Sequence, residues 1–341
     1  MKYRPLGSTG VRVSSLCLGT LMLGSWGGTD AEQGVKIIRR ALDAGVNVVD
    51  TADSYSRGES EEIVGRALAD PGVRDHVVLA TKVGTPMGPD PNWRGGSRRW
   101  ILREVEHSLR RLRTDRIDLY QLHRPDPGTD LTETLEALST LVRDGKVRYI
   151  GTSSLPAHQI VEARWLAERA GLSRFVTEQP PYSLLARGVE ADVLPVCARY
   201  GMGVATWSPL AGGWLTGRDP AEIGRSARAG RWPRRYDLTD PANVRKADAV
   251  AQLSALAREA GISMVHLALA FTLTHPAVSA TIVGPRTLEQ LDDQLPAADL
   301  TLSTDVLDRI DRIVPPGTTF HPDDGGWRVP ELTDPALRRR R

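Results

Sequence analysis

Four side chains of the 341-residue sequence form a coherent chemical set: Asp50, Tyr55, Lys82 and His123. A phenol is a poor acid at neutral pH, with an ordinary pKa of about 10. An ammonium beside it favours the phenolate and makes the proton easier to give. Lys82 can supply that ammonium, and a buried ammonium needs a carboxylate, which Asp50 offers. A histidine within reach of the same oxygen orients a substrate and helps to move a proton. Together the four would protonate a carbonyl oxygen as negative charge develops on it. Such a site also needs a source of hydride. Each residue alone has a plainer reading, as a turn, cap or structural group, and only their joint placement points to chemistry.

That placement depends on the elements around them. A short β-branched run, a polar turn and an amphipathic helical stretch recur eight times. The runs are "VSSLCLG", "VNVVDTA", "HVVLATKVG", "RIDLYQLH", "VRYIGTSS", "RFVTEQPPYS", "MGVATWSPL" and "VSATIVGP". Such alternation predicts a mostly parallel sheet covered by helices. Eight units fit an α/β fold, a closed (β/α)8 TIM barrel. A doubly wound open sheet is the competitor, but neither G-x-G-x-x-G nor G-x-x-x-x-G-K-[ST] occurs. The opening residues 1–13 read as a β-hairpin that plugs the barrel. One domain is expected over 1–341, with a loop at 218–240 and a C-terminal tail at 315–341 over the mouth.

In a barrel of this kind function sits at the C-terminal ends of the strands. Those ends deliver Gly19 and Thr20, then Asp50 with Tyr55, Lys82, His123, Ser153 and Ser154, Gln179, Trp207 with Ser208 and Pro209, and finally Gly284 and Arg286. The opposite ends carry nothing comparable. Asp53 and Glu59 are read as turn and helix-start residues without chemistry.

Hydrophobic residues make up 40% and charged residues 25%, and the formal net charge of +2 is too small to direct the chain to nucleic acid or a membrane. Cys17 and Cys197 lie in apolar surroundings and read as buried thiols. The start "MKYRPLGSTG" has no apolar segment, so a cytoplasmic location is expected. The final "ALRRRR" reads as a solvated end. No oligomeric state is specified.

The motifs "DTADSY", "ATKVG", "RIDLYQLHRPDP", "GKVRYIGTSS", "EQPPYSLL", "TWSPLAGGWLTG" and "IVGPRTLEQL" occur in an order and spacing that resembles the aldo/keto reductases across nearly the whole chain. The resemblance implies reduction of a small aldehyde or ketone by NADPH, less often NADH, without metal. It places the catalytic tetrad on Asp50, Tyr55, Lys82 and His123, with Tyr55 as proton donor. Ser153 and Gln179 would hold the nicotinamide carboxamide, with Ser154 replacing the usual Asn, and Trp207 would stack on the ring. Gly19, Thr20, Ser208, Pro209, Leu210, Gly212, Leu215, Gly217 and Arg218 would surround the cofactor, with the loop after Trp207 on its pyrophosphate. Gly284, Arg286, Gln290 and Asp293 would meet the adenosine, Arg286 as a fork for a 2′-phosphate. Trp26, Trp93 and Arg94 are candidates for substrate contact. Residues 225–235 hold five arginines and no acid, and the loop is expected to order over cofactor or substrate. The bacterial members that it resembles include enzymes acting on sugars and nucleotide-linked keto-sugars. The likeness extends to potassium-channel beta subunits, so an NADPH-binding sensor is the alternative. A non-redox barrel enzyme, an isomerase or lyase, is a third reading.

Overall fold

A computed structural model of the protein describes residues 1–339. Arg340 and Arg341, the end of the expected tail, lie outside the described residues. Strands β1 (Tyr3–Pro5) and β2 (Arg12–Ser14) pair as an antiparallel hairpin. Leu6 and Val13 pack on Cys17, Val48 and Ala280 and close one end of the barrel. Gly7 is needed there. Its φ is +56°, and a Cβ would lie 2.4 Å from the carbonyl oxygen of Gly201.

The barrel comprises β3 (Leu16–Gly19), β4 (Val48–Asp50), β5 (Val78–Val83), β6 (Ile117–Leu122), β7 (Val147–Ser153), β8 (Phe175–Gln179), β9 (Gly203–Thr206) and β10 (Val278–Val283). All eight run parallel in sequence order, and β10 closes the ring by pairing with both β3 and β9. The strands are buried on both faces, as a sheet covered by helices requires.

Helices α1 (Ala31–Asp43), α2 (Glu59–Ala67), α3 (Arg98–Leu112), α4 (Leu131–Arg143), α5 (Ala157–Ala170), α6 (Val193–Arg199), α7 (Pro241–Glu259), α8 (Met264–Thr274), α9 (Leu288–Gln294) and α10 (Thr304–Ile313) surround it. Their starts are set locally. Asp30, Ser97 and Asp130 each accept a backbone N–H of the first turn, satisfying donors that the helix leaves unpaired. No single helix among the described residues is long and apolar enough to cross a membrane.

Between β9 and α7 the chain crosses the barrel mouth in short turns, including Ala227–Arg231 and Pro233–Arg235. The C-terminal segment fastens this strap. Buried Asp324 accepts from Arg235 Nε at 2.6 Å and from buried Lys246 Nζ at 2.9 Å. Tyr236 donates its hydroxyl to the Gly212 carbonyl at 2.9 Å.

Candidate active site

The parallel register sets Gly19 beside Asp50 and Asp50 beside Ala80. Lys82 lies two residues beyond Ala80 on the same face, opposite Gln121. Lys82 Nζ therefore reaches Asp50 Oδ2 at 2.5 Å, the Thr51 carbonyl at 2.8 Å and the Tyr55 hydroxyl at 3.1 Å. Asp50 Oδ1 accepts from Gln179 Nε2 at 2.8 Å and from Gln121 Nε2 at 3.2 Å. Burial works against the Lys82 charge, yet the Asp50 and Tyr55 oxygens hold its pKa above the ordinary value. The ammonium is thus fully charged at neutral pH and fixed by three acceptors.

Tyr55 opens a tight turn in which Ser56, Arg57 and Gly58 all have positive φ, at 48°, 55° and 97°. Two non-glycine residues in that region store strain, and the surrounding contacts hold them there. Ser56 Oγ accepts from Trp26 N at 3.1 Å, and Glu59 accepts from Ser25 N at 2.8 Å. Glu59 is therefore more than a helix-start residue, since it ties the loop after β3 to the Tyr55 turn.

His123 sits edge-on to Tyr55, with ring centroids 5.6 Å apart. Burial, with Arg124 and Lys82 nearby, pushes its pKa well below the ordinary value, so the ring is neutral. Nδ1 pairs with Thr85 Oγ1 at 3.1 Å. With Thr85 as donor, the ring proton belongs to Nε2, free to donate to a ligand oxygen.

Asp50, Tyr55 and His123 line one end of a cleft of about 880 Å³, with Lys82 fully buried behind them. Also in its wall are Gly19, Ser153, Gln179, Trp207, Ser208, Pro209, Leu210, Gly212, Arg218, Gly284, Arg286, Gln290 and Asp293. The walls suit a dinucleotide phosphate. Positive φ at Ser208, Ala211, Gly212 and Gly213 folds the backbone into a tight concavity of the kind that takes anions. Arg218, Arg228 and Arg286 border it without an ion-pair partner among the described residues. Gln290 Oε1 accepts from Arg286 N at 2.9 Å, which leaves its amide nitrogen for a ligand.

Other expected contacts lie elsewhere. Thr20 is buried, with its hydroxyl committed to the Asp50 carbonyl at 3.1 Å. Leu215 is a core residue, and Gly217, with φ of +75°, shapes the turn behind the wall. Ser154 faces Arg124, and its hydroxyl accepts a hydrogen bond rather than lining the cleft. Gln179 commits its amide nitrogen to Asp50, which leaves only its oxygen for a carboxamide. Trp93 stacks on Trp100 of α3, 6.4 Å away and nearly parallel, and Arg94 is exposed beyond it. Neither reaches the cleft. Trp26 does stand at the mouth, 6.4 Å from Tyr55, with the Arg231 guanidinium 3.7 Å above its ring.

Three further groups come from the structure alone. Gln121 steadies Asp50. Arg124 lines the cleft beside His123. Asp53, expected as a turn residue without chemistry, is fully buried with neither carboxyl oxygen bonded. Burial, then Glu61 and Glu104, push its pKa well up, so its ionisation is disfavoured.

The model of the aldo/keto reductase family matches residues 15–315. An uncharacterized oxidoreductase of Bacillus subtilis, YrpG, is 40% identical over 337 residues, covering 96% of this chain and all of the relative. The aldo-keto reductase YhdN of the same organism is 38% identical, covering 86% of this chain and 87% of its own. A putative voltage-gated potassium channel subunit beta of Schizosaccharomyces pombe is 36% identical, covering 92% of this chain and 93% of its own. The chain belongs to the aldo/keto reductase family, and its general activity is NAD(P)H-dependent reduction of small carbonyl compounds.

Proposed function

We propose that this aldo/keto reductase uses NADPH, and that Tyr55 gives the proton while the carbonyl carbon is reduced. The observation that carries the proposal is Lys82 Nζ, held at 2.5 Å from Asp50 and 3.1 Å from the Tyr55 hydroxyl at the cleft end. NADPH supplies the hydride when bound. The protein's own part is positional and electrostatic. His123, neutral and oriented by Thr85, donates Nε2–H to the carbonyl oxygen and polarises it. Tyr55 transfers its proton to that oxygen as charge grows there, and the fixed ammonium of Lys82 stabilises the phenolate left behind. Asp50 keeps Lys82 in place and touches no substrate.

The remaining cleft residues take the cofactor. Ser153 and the Gln179 oxygen would hold the carboxamide, Trp207 would pack against the nicotinamide, and the turn from Ser208 to Gly213 with Arg218 would take the pyrophosphate. Gly284, Gln290 and Asp293 would hold the adenosine. Arg286 favours NADPH over NADH, because a guanidinium fork matches a phosphomonoester.

The test combines binding and turnover. NADPH and NADH are titrated by fluorescence, and an aldehyde panel is assayed with the parent and Tyr55→Phe. The expected result is tighter NADPH binding and loss of about 100- to 10,000-fold of turnover in the variant, with NADPH affinity retained. A Tyr55→Phe protein as active as the parent would overturn the assignment.

A further inference from the structure

The charge in the cleft is one-sided. Seven arginines line it, against Asp50, Asp293 and Asp323. Asp50 is taken by Lys82. Arg234 and Arg235 are taken by Asp323 and Asp324. Arg286 stands with Gln290 at the adenosine end, and Arg218 and Arg228 border the concavity after Trp207. A 2′-phosphate and a pyrophosphate account for those three. Arg124 and Arg231 are left over, and both lie toward Tyr55.

Arg124 is the more telling of the two. It follows His123 directly, and its charge is felt at Tyr55. Burial lowers its pKa, and no carboxylate oxygen lies within 4.0 Å among the described residues. Only one of its three nitrogens is used. Nη1 donates to the His123 carbonyl at 2.8 Å, to Ser153 Oγ at 3.0 Å and to Ser154 Oγ at 3.2 Å. The guanidinium rests against Trp207, 5.5 Å from the ring centre. Nε and Nη2 have no acceptor among the described residues, and neither is a fully buried atom, so this edge opens to the cleft. The Nε–Nη2 edge is the fork that grips a carboxylate or phosphate with two parallel hydrogen bonds. A desolvated guanidinium held flat, with one edge anchored and the other open, is already organised for an anion.

We propose that Arg124 is a specificity-determining residue, and that the substrate is an anionic carbonyl compound whose carboxylate or phosphate binds the free Nε–Nη2 edge while its carbonyl meets Tyr55 and His123. This rests on the reductase reading and narrows it to a substrate class. Arg231, seated on Trp26 at the mouth, adds a second positive charge along the entry path.

The test uses matched substrates with the NADPH-bound parent, Arg124→Gln and Arg124→Lys. The pairs are 4-oxobutanoate against its methyl ester, and glyceraldehyde 3-phosphate against glyceraldehyde. The parent is expected to prefer the anion of at least one pair by 10-fold or more in kcat/KM, and the preferred pair separates carboxylate from phosphate. Arg124→Gln should lose about 10- to 100-fold more on that anion than on its neutral partner, the range of a lost charged hydrogen-bond pair. Arg124→Lys should recover part of the preference. Equal losses on both members of a pair, or weakened NADPH binding as the main effect, would assign Arg124 to the cofactor and overturn the proposal. A binding arm stands apart from turnover: succinate and inorganic phosphate are titrated calorimetrically into parent and Arg124→Gln saturated with NADP+. Binding of either anion that depends on Arg124, with no aldehyde reduced, keeps the anion site and removes the reductase reading. Reduction of neutral and anionic aldehydes alike, indifferent to Arg124→Gln, does the reverse.

Discussion

Glu178 offers a quantitative test of how the barrel wall holds the cleft. It precedes Gln179 on β8 and faces the other way, fully buried, under the turn that carries Ser153 and Ser154. Its carboxyl accepts from Thr152 Oγ1 at 2.5 Å and from Leu155 N at 3.2 Å. Burial raises its pKa from 4.5 to about 7, and the hydrogen bonds and Arg124 offset only part of that rise. Between those values the native state keeps a proton that the unfolded chain has released, so stability falls as pH rises. A gap of about 2.5 units at 1.36 kcal/mol each makes the full loss about 3 kcal/mol. From pH 5.5 to 8 the loss is about 2 kcal/mol, because part of it has already occurred by pH 5.5. Glu178→Gln keeps the shape and an acceptor but cannot ionise. At about 2.1 cal/mol/K per residue the unfolding entropy of the chain is about 0.7 kcal/mol/K, so 2 kcal/mol corresponds to about 3 °C. Thermal melts of parent and variant across that pH range should show the variant gaining about 3 °C on the parent as pH rises. Other titrating groups are common to both chains and cancel in the difference. A gap that stays constant with pH would refute the reasoning.

Two further predictions concern the buried charges. Lys82→Met should remove activity and cost about 3–5 kcal/mol in urea unfolding, because Asp50 is left buried without its cation; adding Asp50→Asn should restore much of that stability, and a double variant no more stable than Lys82→Met would contradict the pairing. Asp53→Asn should stabilise the protein most at neutral and higher pH, with the gain shrinking as pH falls toward 4, because the raised pKa of Asp53 makes its ionisation the destabilising event; a gain that grows toward low pH would contradict a buried neutral acid.

The barrel was legible because its signal is periodic. Eight alternations of β-branched run and amphipathic helix leave few topologies, and the polar residues collect where the runs stop. The misplacements have a common cause, which is contact between residues that no period relates. Trp93 looked free for a substrate, yet it lies on Trp100 across the turn that begins α3. Asp53 read as a plain turn residue, but α2 and α3 bring Glu61 and Glu104 over it. Gln121 stands one residue inside its strand end and was passed over for His123. Arg124, flanked by His123 and Pro125, carries no signal of its own in the sequence, because the hydroxyls that anchor it come from Ser153 and Ser154 after the next strand.

Strand order has a consequence for synthesis. The four tetrad residues are all present once the ribosome has passed His123, while β10, which closes the ring, ends at Val283. At about 5–20 residues per second, the intervening stretch takes about 8–32 s. During that time Leu18 has no β10 partner, and Gln179 arrives only partway through to bond Asp50. A nascent chain therefore carries every catalytic side chain well before it has a dry interior for the Asp50–Lys82 pair. A truncation that removes the chain from Val278 onward deletes none of the four, yet it leaves both edges of the sheet open and the ion pair in water.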